Sequence, residues 1–183
     1  MKDFAVVRAL ADQGVKHCLI GAHAFSVWGY TRNTVDIDFI TLEDRVLAKR
    51  FWPDECVPKI VALRRGDEDD PLVGVARFKD PAIDVIVGRG RLVREAIATA
   101  TIDDVTGVPV ATPLYLSLLK LDAGGPKDLA DVYELFTVMR LTGSDPDLQQ
   151  RVADHVPQLS EWGKRAWERF ETLAQVPRRG QDG

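Results

Sequence analysis

Apolar positions recur along the chain with two periods, and the change from one to the other divides it. Phe4, Val7, Leu10 and Ala11 fall three or four apart, so residues 2–13 predict a helix, with Gly14 closing it. VKHCLI (15–20) is strand-like, GAHAFSVWGY (21–30) reads as a helix bracketed by glycines, and VDIDFIT (35–41) alternates with the period of a strand. A charged amphipathic helix is expected at 43–52. VPKIVAL (57–63), VGVARFK (73–79) and AIDVIVG (82–88) read as three further strands separated by Gly, Asp and Pro. Residues 91–100 return to helical spacing, and VPV (108–110) is a short extended piece.

Beyond that point the pattern is helical throughout. Thr112 and Pro113 suit the N-cap and first position of a helix at 113–123. Further helices are expected at 127–141, at 146–156 and at 159–174, the last with Trp162, Ala166, Phe170 and Leu173 along one face. The expectation is an α/β (α+β) fold: a mixed sheet flanked by helices over 1–111, a helical C-terminal part over 112–176 packed on it, and a frayed tail at 177–183.

Composition narrows this picture without redirecting it. A chain of 183 residues, 45% hydrophobic and 28% charged, has the make-up of an ordinary globular protein. No apolar run approaches the roughly 20 residues that cross a bilayer. Asp3, Arg8 and Asp12 interrupt the N-terminal apolar residues, unlike a secretory signal. Cys18 and Cys56 sit in apolar surroundings without metal-ligand spacing and read as buried thiols. The expected setting is therefore cytoplasmic, with no membrane partner. A net charge of −4 argues against coating nucleic acid by general electrostatics, though not against a local basic patch. Arg64, Arg65 and the acidic run Asp67 to Asp70 read as a solvated loop.

The candidate chemistry lies in the carboxylates. Asp36 and Asp38 are two apart on an expected strand, so both should leave one face while Val35, Ile37 and Phe39 pack on the other. Adjacent carboxylates repel and resist burial, and a Mg²⁺ ion, which takes one or two carboxylates plus water and phosphate oxygens, removes the conflict. Asp84 lies on another expected strand, with Ile83, Val85 and Val87 facing away from it. If the two strands are neighbours, three acids converge and suffice for two ions about 4 Å apart. The plainer alternatives are exposed edge-strand acids for the pair and a turn or ion-pair residue for Asp84. Gly21, where a strand hands over to a helix, suits a phosphate site or simply a turn. His23 lies one turn away and is more readily a packed or surface residue, and Arg32 precedes the acidic strand as a partner for carboxylate or phosphate. Trp28 reads as a packing residue.

The string LIGAHAFSVWGYTRNTVDIDFIT resembles the signature of the nucleotidyltransferase superfamily, the DNA polymerase β-like fold. In that signature a strand ends in Gly-Gly or Gly-Ser, a helix follows, and the next strand carries Asp-x-Asp, with a third acid later. Gly21-Ala22, Asp36-Ile37-Asp38 and Asp84 occupy those places, and Arg32-x-Thr34-x-Asp36-Ile37-Asp38 is similar to the minimal prokaryotic branch. Downstream, Lys120 to Ala123 and Gly125 to Val132 resemble elements of the AbiEii-type nucleotidyltransferase toxins. The resemblance implies Asp36, Asp38 and Asp84 as catalytic metal ligands, Asp84 alternatively as base. Nucleotide would be held by Gly21, Ala22, Arg32, Lys120, Lys127 and Asp128, with Asp131 arranging the site. It implies one or two Mg²⁺ ions, an NTP such as ATP, and transfer of a nucleoside monophosphate to an acceptor hydroxyl on an RNA 3′ end, a protein side chain or a small molecule. A toxin–antitoxin setting with a cognate antitoxin follows from the same resemblance, the chain itself being a monomer or homodimer. Ala22 replaces the usual Gly or Ser, and Gly125 stands where the toxin motif has Arg. These departures keep open a second reading, a catalytically weak or inactive binding or regulatory module. Lys127 and Asp131 also read as a plain i,i+4 ion pair. A phosphatase-type D-x-D-x-T/V motif fits less well, because Ile40 takes the Thr/Val position and no apolar run precedes Asp36.

Overall fold

The computed structural model describes residues 1–67 and 72–174, so the acidic run beyond Asp67 and the tail at 177–183 lie outside the described residues. Two compact units divide the chain, Met1–Leu116 and a second from Ser117 onward.

The first unit runs α1 (Ala5–Asp12), β1 (His17–Ile20), α2 (Gly21–Val27), β2 (Ile37–Thr41), β3 (Ile60–Arg65), β4 (Leu72–Phe78), β5 (Ile83–Gly88), α3 (Gly90–Ala98), β6 (Thr101–Ile102) and β7 (Pro109–Val110). The strands form one mixed sheet in the order β3-β4-β5-β2-β1-β7-β6. β2 runs parallel to β5 and β1 parallel to β7, while the other neighbours are antiparallel. Strict alternation decides the faces. Leu19, Phe39, Ile83 and Val85 are fully buried on one face, whereas Asp38 and Asp84 leave the other. α3 covers one end of that second face. There Gly88 makes the approach feasible, since a Cβ on it would lie 2.8 Å from Val93 Cγ2 and 3.3 Å from Ile40 Cδ1.

Three expectations for the first unit need correction. The helix expected at 43–52 is two single 3₁₀ turns, Asp44–Leu47 and Lys49–Phe51, separated by extended Ala48. Buried Val46, Leu47, Phe51 and Trp52 supply the apolar pattern, but the Trp52 indole donates to the Val46 carbonyl at 2.8 Å. In a continuous helix that carbonyl would accept from the amide four residues on. The strand expected from 57 begins at Ile60, because Pro58 enters a 3₁₀ turn at Val57–Lys59. β2 begins at Ile37, so Asp36 lies in the exposed approach to it, and Val35 is 82% exposed rather than packed.

In the second unit, α4 (Pro113–Ala123) contributes its residues from Ser117 on, followed by α5 (Pro126–Thr142), α6 (Leu148–His155) and α7 (Glu161–Ala174). Its core joins Val132, Leu135, Phe136 and Met139 of α5 with Leu148 and Val152 of α6 and Ala166, Trp167 and Phe170 of α7. The Phe170 ring meets Phe136 edge-on at 5.3 Å and stacks on Trp167 at 5.2 Å. The apolar stripe of α7 therefore runs through Ala166, Trp167 and Phe170, with Trp162 and Leu173 exposed. Trp162 turns outward because its indole donates to the Ala123 carbonyl at 3.1 Å and its ring lies under the Arg169 guanidinium. Both cysteines are buried free thiols, and burial pushes Cys18 up to about 12.

Candidate active site on the acidic face of the sheet

Register places the acids. Asp38 of β2 lies opposite Asp84 of β5 in the parallel pair, and Arg77 of β4 lies opposite Asp84 in the antiparallel pair. Asp38, Asp84 and Arg77 therefore stand in a row on one face across three adjacent strands. Asp36, two residues before Asp38, is exposed at the same end.

Gly21 is the first residue of α2 and directly follows Ile20, the β1 partner of Asp38. Its φ of 66° is a left-handed conformation that glycine adopts without steric cost. A Cβ on Gly21 would stand 2.1 Å from Asp38 Oδ2. The bare Cα is thus the cradle in which the Asp38 carboxylate lies. Ala22 is buried within α2, and Arg32 lies partly buried in the segment before β2. His23 is held below the ordinary histidine range by burial. Trp28 donates its indole N–H to the Ala111 carbonyl at 2.9 Å, which anchors the C-terminal end of α2.

Asp84 is buried and doubly engaged. Arg77 Nε donates to Oδ1 at 2.8 Å and to Oδ2 at 3.1 Å, and Arg77 Nη2 donates to Oδ2 at 2.5 Å. This forked, charge-assisted pairing is the strong form of an ion pair. The Arg77 guanidinium is raised above its usual range, first by its hydrogen bond to Asp84, then by the charge of Asp84, with further help from Asp36 and Asp38. Sequence reading overlooked Arg77 because VGVARFK shows only a strand. Its alternation with Ala76 and Phe78 gives the arginine a face, but only the pairing register makes it the face of the acids.

The remaining candidates lie in the second unit. Lys120 Nζ bonds Asp128 Oδ1 at 2.6 Å and Asp131 Oδ2 at 3.1 Å, and Asp131 is only 2% exposed. Here Lys120 compensates a buried carboxylate. Asp128 also accepts from the Gly125 backbone N–H at 3.2 Å, as an acid in the first turn of a helix does. Lys127 is exposed on that turn.

The donor set can be tested against Mg²⁺. Asp36 and Asp38 offer hard oxygen donors of the kind Mg²⁺ takes in ones and twos, with water and phosphate completing its shell, and the bare Gly21 Cα accommodates the Asp38 carboxylate. Asp84 already has a counter-ion in Arg77, which bonds both its oxygens. Among the described residues no group of three or more His, Cys, Asp or Glu is placed to share an ion.

No protein-family model matches the chain, and no curated protein does. Solved structures do. The chain is similar to the antibiotic-resistance factor ANT(2'')-Ia, at 15% identity and a TM-score of 0.52, over 92% of this chain and 94% of that one. JHP933 from Helicobacter pylori matches at 20% identity and a TM-score of 0.42, over 93% and 86% of the two chains. An antigenic nucleotidyltransferase-like protein from Paracoccidioides brasiliensis matches at 15% and 0.44, over 87% and 89%. A mixed sheet that carries its acids on a strand after a Gly-led helix, matched over nearly the whole chain, gives this protein the nucleotidyltransferase fold.

Proposed function

We propose that this chain is a Mg²⁺-dependent nucleotidyltransferase that moves a nucleoside monophosphate from an NTP to an acceptor hydroxyl. The observation that carries the reading is the Asp38 carboxylate, seated against the bare Cα of Gly21 and in register with Asp84 on a sheet of this fold. Asp36 and Asp38 would hold the ion, which when bound would neutralise triphosphate charge and favour departure of pyrophosphate. In the reaction the acceptor oxygen bonds to the α-phosphorus, the bond from that phosphorus to the bridging oxygen breaks, pyrophosphate leaves, and the hydroxyl proton passes to solvent. Arg77, with its side chain half exposed, adds a cation to the same face. The acceptor class is an RNA 3′ end or a protein side chain, as in a toxin with a cognate antitoxin. The antibiotic-resistance role named for ANT(2'')-Ia makes a small-molecule hydroxyl the third class to assay.

The test is label transfer. Purified protein with Mg²⁺ and each α-labelled NTP is offered total RNA, protein lysate and aminoglycosides, beside an Asp36→Asn/Asp38→Asn variant. Label in one fraction, reduced by at least about a hundredfold in the variant, is the expected result. Folded protein that labels nothing with any NTP overturns the transferase reading in favour of a binding or regulatory module.

A further inference from the structure

Asp84 is the most buried of the three acids on this face, and its carboxylate already has a counter-ion built into the chain. Building on the reading above, we propose that Arg77 is a positioning residue that withholds Asp84 from the metal, so that Asp84 becomes a ligand only when Arg77 turns away onto an anion.

Three observations carry this. The guanidinium engages both Asp84 oxygens, and its positive charge opposes the approach of a second cation to them. The two side chains are unequally fixed: Asp84 is 11% exposed and Arg77 is 55% exposed, so the arginine is the partner with room to move. A pocket with arginines in its lining lies on the same face. Arg77 and Asp84 line an open pocket of about 310 Å³ together with Arg64, Arg65 and the backbone near Gly66. Arg64 lies two residues from Ala62, the β3 partner of Arg77, and therefore on the same side of the sheet. A phosphate group of the substrate is the ligand chemistry that suits two guanidinium groups beside a metal-binding acid. Removing Arg77 from Asp84 and offering it phosphate would couple substrate binding to completion of the metal site.

The measurement is Mn²⁺ binding, followed by electron paramagnetic resonance of the free ion, in wild type, Arg77→Gln, Asp84→Asn, the double variant and Asp38→Asn. In wild type, Asp84→Asn should change Mn²⁺ affinity by less than about twofold, because Asp84 is not yet a ligand. Arg77→Gln should raise affinity roughly tenfold, by removing a nearby positive charge and freeing the carboxylate. Asp84→Asn in the Arg77→Gln background should abolish that gain. Arg77→Lys, which keeps a cation on Asp84 but cannot fork, should give an intermediate gain and serves if Arg77→Gln fails to fold. An Asp84→Asn loss as large in wild type as in the Arg77 variants overturns the proposal. So does Mn²⁺ binding that Asp38→Asn removes but no Arg77 substitution alters, and that outcome leaves the transferase reading intact. Absence of Mn²⁺ binding in wild type and variants alike overturns both.

Discussion

At the scale of single residues, glycine and charge placement decide the site. Gly21 combines a left-handed backbone with contact against Asp38, so any side chain there is strained twice. Gly21→Ala should destabilise the fold by about 2 kcal/mol or more in urea denaturation. It should also lower label transfer more than the lost stability accounts for, because the Asp38 carboxylate has to move. An unchanged midpoint would show that neither the left-handed backbone nor the Asp38 contact limits this position. Gly125, where the toxin motif has Arg, is explained in the same way: a Cβ there would lie 2.9 Å from Asp128 Oδ2. The glycine makes room for the carboxylate that caps α5 and pairs with Lys120. Removal of Lys120 would take a cation from the buried Asp131 carboxylate, which explains a lysine at that place independently of phosphate.

At the scale of elements, the segment at 43–52 shows how one side chain can break a helix that its apolar pattern supports. Trp52 takes the Val46 carbonyl and also meets Phe78 edge-on at 4.6 Å, so a tertiary contact outbids a local hydrogen bond. Trp52→Phe keeps most of the apolar contact and leaves that carbonyl without the indole N–H. A loss of about 1–2 kcal/mol is expected from the urea midpoint. A neutral result would mean that the carbonyl finds another donor. The same competition displaces the stripe of α7, where Trp162 is drawn to Ala123.

At the scale of the whole molecule, stability is linked to pH through one buried and one half-buried histidine, His17 and His23. His17 is held below the ordinary histidine range first by burial, against which its Nδ1 bond to the Val15 carbonyl acts in the opposite direction, and His23 is lowered by burial too. Below about pH 6.5 the unfolded chain therefore binds protons that the folded chain does not. Stability should be full above that pH and decline toward pH 5.5, by at most about 1.4 kcal/mol per pH unit for His17 and by less for the more solvated His23. Urea midpoints at pH 7.5, 6.5 and 5.5 check this. His17→Asn should flatten the slope, and a slope unchanged by that substitution would assign it to other groups.

Much of the fold was legible because its signals are local. The period-two alternation around Asp38 and Asp84, the helix ending before Gly14, and the four C-terminal helices follow from backbone geometry and apolar spacing, which neighbours in sequence suffice to express. The acids, the glycine before them and the class of fold were therefore open to reading from the chain alone. Pairing register was not, since it is settled by which strands meet. Only the tertiary structure put Asp38 opposite Asp84, put Arg77 on the Asp84 carboxylate, and gave Lys120 to Asp131. An ion pair between β4 and β5 leaves no mark in residue periodicity, because its energy depends on a distance that the sequence does not contain.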